Sequence, residues 1–71
     1  MSLTFFSMNY QQFFIRLTSV REITGLSTSS IYRMMSSGEF PKQIQLGSNS
    51  VAWTKKSIDD WCHQKVAEAT S

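Results

Sequence analysis

The sequence predicts a small α+β domain of three short helices and a β-hairpin. Three observations lead there. The stretch from Gly25 to Gly38 reads as a turn, a capped helix and a stop. Ile44 and Leu46, then Val51 and Trp53, alternate with polar or small residues about the turn-forming Gly47-Ser48-Asn49-Ser50, which is the signal of a hairpin. Beyond it, Ile58, Trp61, Cys62 and Val66 recur at helical spacing.

Residues 1–12 carry no charge and are rich in aromatics, among them Phe5, Phe6 and Tyr10. Two readings stand for them: an extension that lays aromatics on the core, or an exposed apolar patch for association, since soluble monomers seldom leave such patches bare. Met8 is an alternative start. Phe14-Ile15-Arg16-Leu17 favours a first strand. Leu17, Val20, Ile23 and Leu26 then recur every three residues, the stripe of a short helix over about residues 18–25. Its N-cap is either Thr18 or Ser19, the latter with Glu22 as a capping box.

Gly25 suits the turn into the second helix, because glycine takes positive φ at no steric cost. Ser27 is the expected N-cap. Leu26 and Ile31 stand at the N′ and N4 spacing of a hydrophobic staple. Ile31, Met34 and Met35 make the apolar stripe, and Gly38 falls at the helix stop. Ser29, Tyr32, Arg33 and Ser36 occupy the other face, with no acidic residue between Glu22 and Glu39. Two short helices joined across Gly25 form a helix-turn-helix-sized unit. An ordinary helical hairpin has the same size. A helix that buries one face and offers Ser, Tyr and Arg on the other suits the DNA major groove.

Phe40-Pro41 marks the exit from that helix. In the hairpin, Ile44, Leu46, Val51 and Trp53 are expected to share one face and pack on the helices. The hairpin either only closes the core, or serves as a wing whose Gly47-Ser48-Asn49 tip offers backbone donors to phosphate. Thr54 opens the third helix, and Trp53 with Ile58 repeats the staple spacing. Residues 67–71 are small and polar and are expected to fray.

Composition limits the function. A chain of 71 residues is expected to form one domain, burying only about 60% of its unfolded surface. That leaves little room for a catalytic pocket. Cys62 is the single cysteine, so an internal disulfide and a cysteine-rich zinc site are excluded. Cys62 and His63 point about 100° apart on a helix and make no nucleophile–base pair. Asp59-Asp60 reads as a helix-start pair. No phosphate-binding glycine loop and no metal-ligand spacing occurs. The expectation is a non-enzyme without cofactor, metal or small-molecule ligand. No apolar run approaches the roughly 20 residues of a membrane span, and no basic n-region opens the chain, so a cytoplasmic location is expected. The net charge of +2 is compatible with a nucleic-acid partner.

Residues from about Phe14 to Lys65 also resemble a known family. They are Arg16-Leu17, Thr24-Gly25-Leu26-Ser27, Ser30-Ile31-Tyr32-Arg33, Gly38-Glu39-Phe40-Pro41-Lys42, Leu46-Gly47, Val51-Ala52-Trp53 and Ile58-Asp59-Asp60-Trp61. In this order and spacing they resemble the AlpA-like prophage regulators, small relatives of MerR-type helix-turn-helix proteins and of phage excisionases. The resemblance implies a winged helix-turn-helix, with the second helix in the major groove and the hairpin as wing. It implies a DNA-binding regulator of phages or integrated elements, controlling integrase expression or assisting excision. The expected organisation is an extension over 1–12, the DNA-binding domain over 13–66 and a frayed end over 67–71. Two departures are visible: the long uncharged lead-in, and a wing tip, Ser48-Asn49-Ser50, without the arginine often found there.

The expected partner is double-stranded DNA. Arg33 is the main base reader, since a guanidinium bonds two acceptors of guanine. Thr28, Ser29, Tyr32 and Ser36 complete the reading helix. Ser27, Lys42, Gly47, Ser48, Asn49, Lys55 and Lys56 are the expected phosphate and wing contacts. The competing reading is a protein-interaction module that binds an integrase or another regulator; self-association on DNA is a further expected contact.

Overall fold

The fold comes from a computed structural model, which describes residues 13–70. The readings of residues 1–12 and of Ser71 lie outside the described residues. The elements run β1 (Phe14–Ile15), α1 (Leu17–Thr24), α2 (Thr28–Ser37), β2 (Ile44–Gln45), β3 (Val51–Thr54) and α3 (Lys55–Thr70). The strands form one antiparallel sheet in the order β1-β3-β2. Three helices and this sheet make a small α+β winged helix-turn-helix, with β2 and β3 as the wing.

Each boundary has a local cause. Gly25 and Gly38 close α1 and α2 in the left-handed region, at φ 75° and 81°. Ser27 caps α2 as expected. Thr54 caps α3: its Oγ1 accepts from Ser57 N at 3.1 Å, and Ser57 Oγ donates to Thr54 O at 2.9 Å. The start of α1 differs from expectation. Neither Thr18 nor Ser19 caps it; Arg16 holds the cap position in extended geometry, without a side-chain bond. Ile15 pairs with Trp53 in the sheet, so strand pairing sets the chain's direction up to Arg16 and the helix begins at once. Leu17, read as strand, is the first helical residue.

The core is a single cluster. Val20, Ile31, Trp53 and Ile58 are fully buried, with Ile15 and Phe40 beside them. Leu17, Leu26, Met34, Met35, Trp61 and Cys62 pack around it, half-buried. Both staples therefore reach the core. Two stripe residues do not: Ile23 stays 46% exposed and Val66 62%. Val66 lies beyond the point where α3 leaves the core. The helix nevertheless continues through residues 67–70, the stretch expected to fray, and Thr70 Oγ1 donates back to Val66 O at 3.0 Å.

The hairpin register corrects the expected face. Ile44 stands opposite Ala52, and Gln45 opposite Val51. Opposed residues share a face and neighbours alternate. Ile44 and Leu46 therefore lie with Ala52, while Val51 and Trp53 lie on the other side. A one-residue offset flips every side chain. Trp53 alone takes the deep core position. Phe14 pairs with Thr54, so it joins Ala52, Ile44 and Leu46 on the outer sheet face, where Phe14, Ile44 and Leu46 are 37–45% exposed.

Two indoles tie the α2 exit to the rest. Trp53 Nε1 donates to Pro41 O and Trp61 Nε1 to Glu39 O, each at 2.8 Å. Phe40 lies between them, edge-on to both rings. The segment leaving α2 is thus held at alternate carbonyls. Trp53→Phe keeps an aromatic ring but orphans the Pro41 carbonyl. It should cost about 1–3 kcal/mol, the penalty of leaving a partly buried acceptor unsatisfied. Trp61→Phe should cost less in the same denaturant titration, because water reaches Glu39 O; equal losses would show that the Trp53 bond has no special weight.

Candidate nucleic-acid interface

The interface candidate is built on α2. Ser27 Oγ accepts from Ser30 N at 3.2 Å, which satisfies one orphan donor of the first turn. Ile31 is buried and Met34 and Met35 are half-buried, which fixes the helix's rotation about its axis. Ser29, Tyr32, Arg33 and Ser36 consequently face outward and are exposed. Thr28 is half-buried and sits at the edge of that face.

Ser30, which the sequence reading passed over as a site residue, links this face. Its Oγ accepts from Ser27 Oγ at 3.1 Å and from Arg33 Nη2 at 3.5 Å. The signal was present in the spacing, since residues 27, 30 and 33 follow one another at i, i+3. The last contact is long and leaves the guanidinium's donors largely uncommitted. A guanidinium has five donors, and no other acceptor holds Arg33 among the described residues.

Lys42 adjoins this surface. It lines a shallow cavity with Met35, Ser36 and Gln43, so it stands beside the C-terminal end of the outward face of α2. It has no acidic partner among the described residues, and neither do Arg16, Arg21 and Arg33.

Lys55 and Lys56 are placed differently. Lys55 Nζ pairs with Asp59 at 3.0 Å and Lys56 Nζ with Asp60 at 2.9 Å, one turn further along α3. The hydrogen bond and the negative charge of Asp60 hold the Lys56 ammonium above its usual pKa. These pairs offset the unfavourable meeting of two cations with a helix N-terminus. They also make each lysine's approach to any other anion a competition.

The wing tip is open. Gly47, Ser48 and Asn49 are exposed. Leu46 N and Gly47 N both donate to Ser50 O, at 2.7 and 3.3 Å. Gln45 Nε2 donates to Gly47 O at 3.0 Å and to Ser48 O at 3.4 Å. The turn is therefore braced from within, and the N–H groups of Ser48 and Asn49 remain unbonded among the described residues.

Among the described residues no three His, Cys, Asp or Glu side chains are grouped to hold a metal ion. No helix of the described residues is long and apolar enough to cross a membrane.

Comparison with known proteins accords with this geometry. The family model described as prophage CP4-57 regulatory protein (AlpA) matches residues 13–66. The chain belongs to the AlpA family. That span runs from the residue before β1 into α3 and takes in the whole helix-turn-helix and wing. An uncharacterised protein, ORF88, of Enterobacteria phage P4 is 39% identical over 57 residues. That match covers 80% of this chain, and this chain spans 65% of the P4 protein's length. A DNA-binding transcriptional activator, AlpA, of Escherichia coli K12 is 33% identical over 57 residues, covering 72% of this chain and 81% of its own.

The Ser27 cap can be tested in isolation. Ser27→Ala should destabilise the fold by about 1 kcal/mol, a fall of roughly 4–8 °C in Tm for a domain this small. An unchanged Tm would mean that α2 starts correctly without the cap.

Proposed function

We propose that this AlpA-family chain is a sequence-specific, double-stranded-DNA-binding transcriptional regulator of a phage or integrated element, and not an enzyme. The observation that carries the proposal is the two-sided character of α2. One face is locked into the core by Ile31, Met34 and Met35; the other presents Ser29, Tyr32, Arg33 and Ser36 with no acid among them. A helix of this kind fits the major groove, which is wide enough to admit it.

In this reading Arg33 bonds O6 and N7 of a guanine, with Ser30 steering its guanidinium. Ser29, Tyr32 and Ser36 meet neighbouring base edges or the sugar–phosphate chain, with Thr28 at the margin. Lys42 is the main phosphate contact, because it flanks the reading face and has no acidic partner among the described residues. Lys55 and Lys56 contribute only by exchanging Asp59 and Asp60 for phosphate. Ser27, Gly47, Ser48 and Asn49 supply neutral contacts, through the hydroxyl group and backbone donors that position a protein on a duplex. The regulator is expected to act in the cytoplasm, on integrase expression or on excision.

The apolar outer sheet face of Phe14, Ile44 and Leu46 favours a second activity beside the first. It offers a surface for an integrase, another regulator or a second copy on DNA, and none of the proposed DNA contacts is among these three residues.

The experiment is a binding titration against a selected site and a scrambled one. Arg33→Ala should lose about 1–3 kcal/mol on the selected site and little on the scrambled one. Lys42→Ala should weaken both about equally and flatten the salt dependence by roughly one in the slope of log K against log salt. Arg33→Ala binding at wild-type strength would remove α2 as the reader.

A further inference from the structure

We propose that Gln43 is a second base-reading side chain, which takes an adenine in the major groove beside the base pair met by α2. The inference rests on the DNA-binding reading of α2 and extends it to a residue outside the helix.

The first observation is an orphaned acceptor. Among the described residues, Gln43 Oε1 is the one buried side-chain polar atom without a hydrogen-bond partner. Gln43 directly precedes β2, whose first residue, Ile44, pairs with Ala52 next to Trp53. The indole N–H of Trp53 is committed to Pro41 O at 2.8 Å. The amide therefore sits among side chains that leave its oxygen unsatisfied. A buried acceptor in that state is costly. Rotating the amide outward breaks no hydrogen bond at that atom.

The second observation is position. Gln43 lines the same shallow cavity as Ser36 and Lys42. Ser36 belongs to the exposed face of α2, and Lys42 is the unpaired cation beside it. The cavity is thus the seam between the reading helix and the strand that leads into the wing. A duplex lying along α2 passes over this seam.

The third observation distinguishes Gln43 from the other glutamines described. Gln45 spends its amide on the carbonyls of Gly47 and Ser48, and Gln64 donates to Glu68. Neither is free to read a base. The Gln43 amide makes no hydrogen bond at either end among the described residues.

The chemistry then selects the base. An acceptor lacking a donor needs an amino group. In the major groove only adenine N6 and cytosine N4 supply one, whereas guanine and thymine show acceptors alone. The other end of the amide, Nε2, is a donor and needs an acceptor alongside. Adenine places N7 next to N6, so one amide meets both; cytosine offers no such neighbour. The seam accordingly prefers adenine.

The test is selection of randomised duplexes by the full chain, in parallel for wild type, Gln43→Met, Gln43→Glu and Arg33→Ala, with a thermal melt of each. Wild type should enrich a motif that contains an adenine close to the guanine lost in Arg33→Ala. Gln43→Met, similar in size but without the amide, should lose that adenine preference by tenfold or more, while the guanine is retained. Its Tm should equal or exceed that of wild type, because the orphaned acceptor is gone. Gln43→Glu, an acceptor only, should shift the same position toward cytosine. If Gln43→Met enriches the wild-type motif at wild-type affinity, the inference is overturned while the reading of α2 stands. A Tm several degrees lower for Gln43→Met also overturns it, since the amide would then be bonded in the free protein. If wild type enriches no motif, the DNA reading itself falls, and Gln43 with it.

Discussion

The burial of Trp53 is the constraint on which the rest depends. It occupies the central strand, opposite Ile15 on one side, and is fully buried. Its ring closes the core formed by Val20, Ile31 and Ile58, and its N–H pins Pro41. One side chain therefore fixes the sheet against the helices and the segment that leaves α2. A domain of this size has few such residues to spare. The rotation of α2, and hence the outward aim of Arg33, follows from Ile31 seating in the same core.

Charge is distributed in keeping with that architecture. Each lysine of α3 has an acidic partner on the same helix: Asp59 for Lys55, Asp60 for Lys56 and Glu68 for Lys65. Lys65 also lies over the Trp61 ring, 5.6 Å from its centroid. Exposed pairs of this kind add little stability; their larger effect is to neutralise α3. Arg16, Arg21, Arg33 and Lys42, all outside α3, have no acidic partner among the described residues. The modest net charge of the chain thus conceals a division between a neutralised α3 and four cations outside it that have no acidic partner among the described residues.

Much of this was legible in the sequence, because it rests on local chemistry. Gly25, Ser27, Leu26 with Ile31, and Gly38 specify α2 through caps, a staple and a stop, each decided within a few residues. Thr54 and Ser57 do the same for α3. What escaped the sequence is what depends on pairing at a distance. The hairpin face was misassigned because two residues of strand contain no information about which partner they oppose; Ile44 and Leu46 looked like core and became surface. Arg16 caps α1 because Ile15 is held by Trp53, a contact across most of the domain. The pairing of Lys55 and Lys56 was visible as an i, i+4 pattern with Asp59 and Asp60, yet the lysines read more simply as free cations. The Ser30 contact with Arg33 and the unsatisfied oxygen of Gln43 escaped for opposite reasons: the first by its plainness on a serine-rich helix, the second because such an oxygen exists only once the fold has closed around it.

The central claim is that α2 enters the major groove and meets guanine there. Methylation interference on a selected duplex tests it most directly, since dimethyl sulfate places a methyl group on guanine N7, the atom that Arg33 is assigned to reach. One guanine position in the site should abolish wild-type binding when methylated, and the same position should become indifferent in Arg33→Ala. Wild-type binding that tolerates N7 methylation at every guanine of the site would contradict the account.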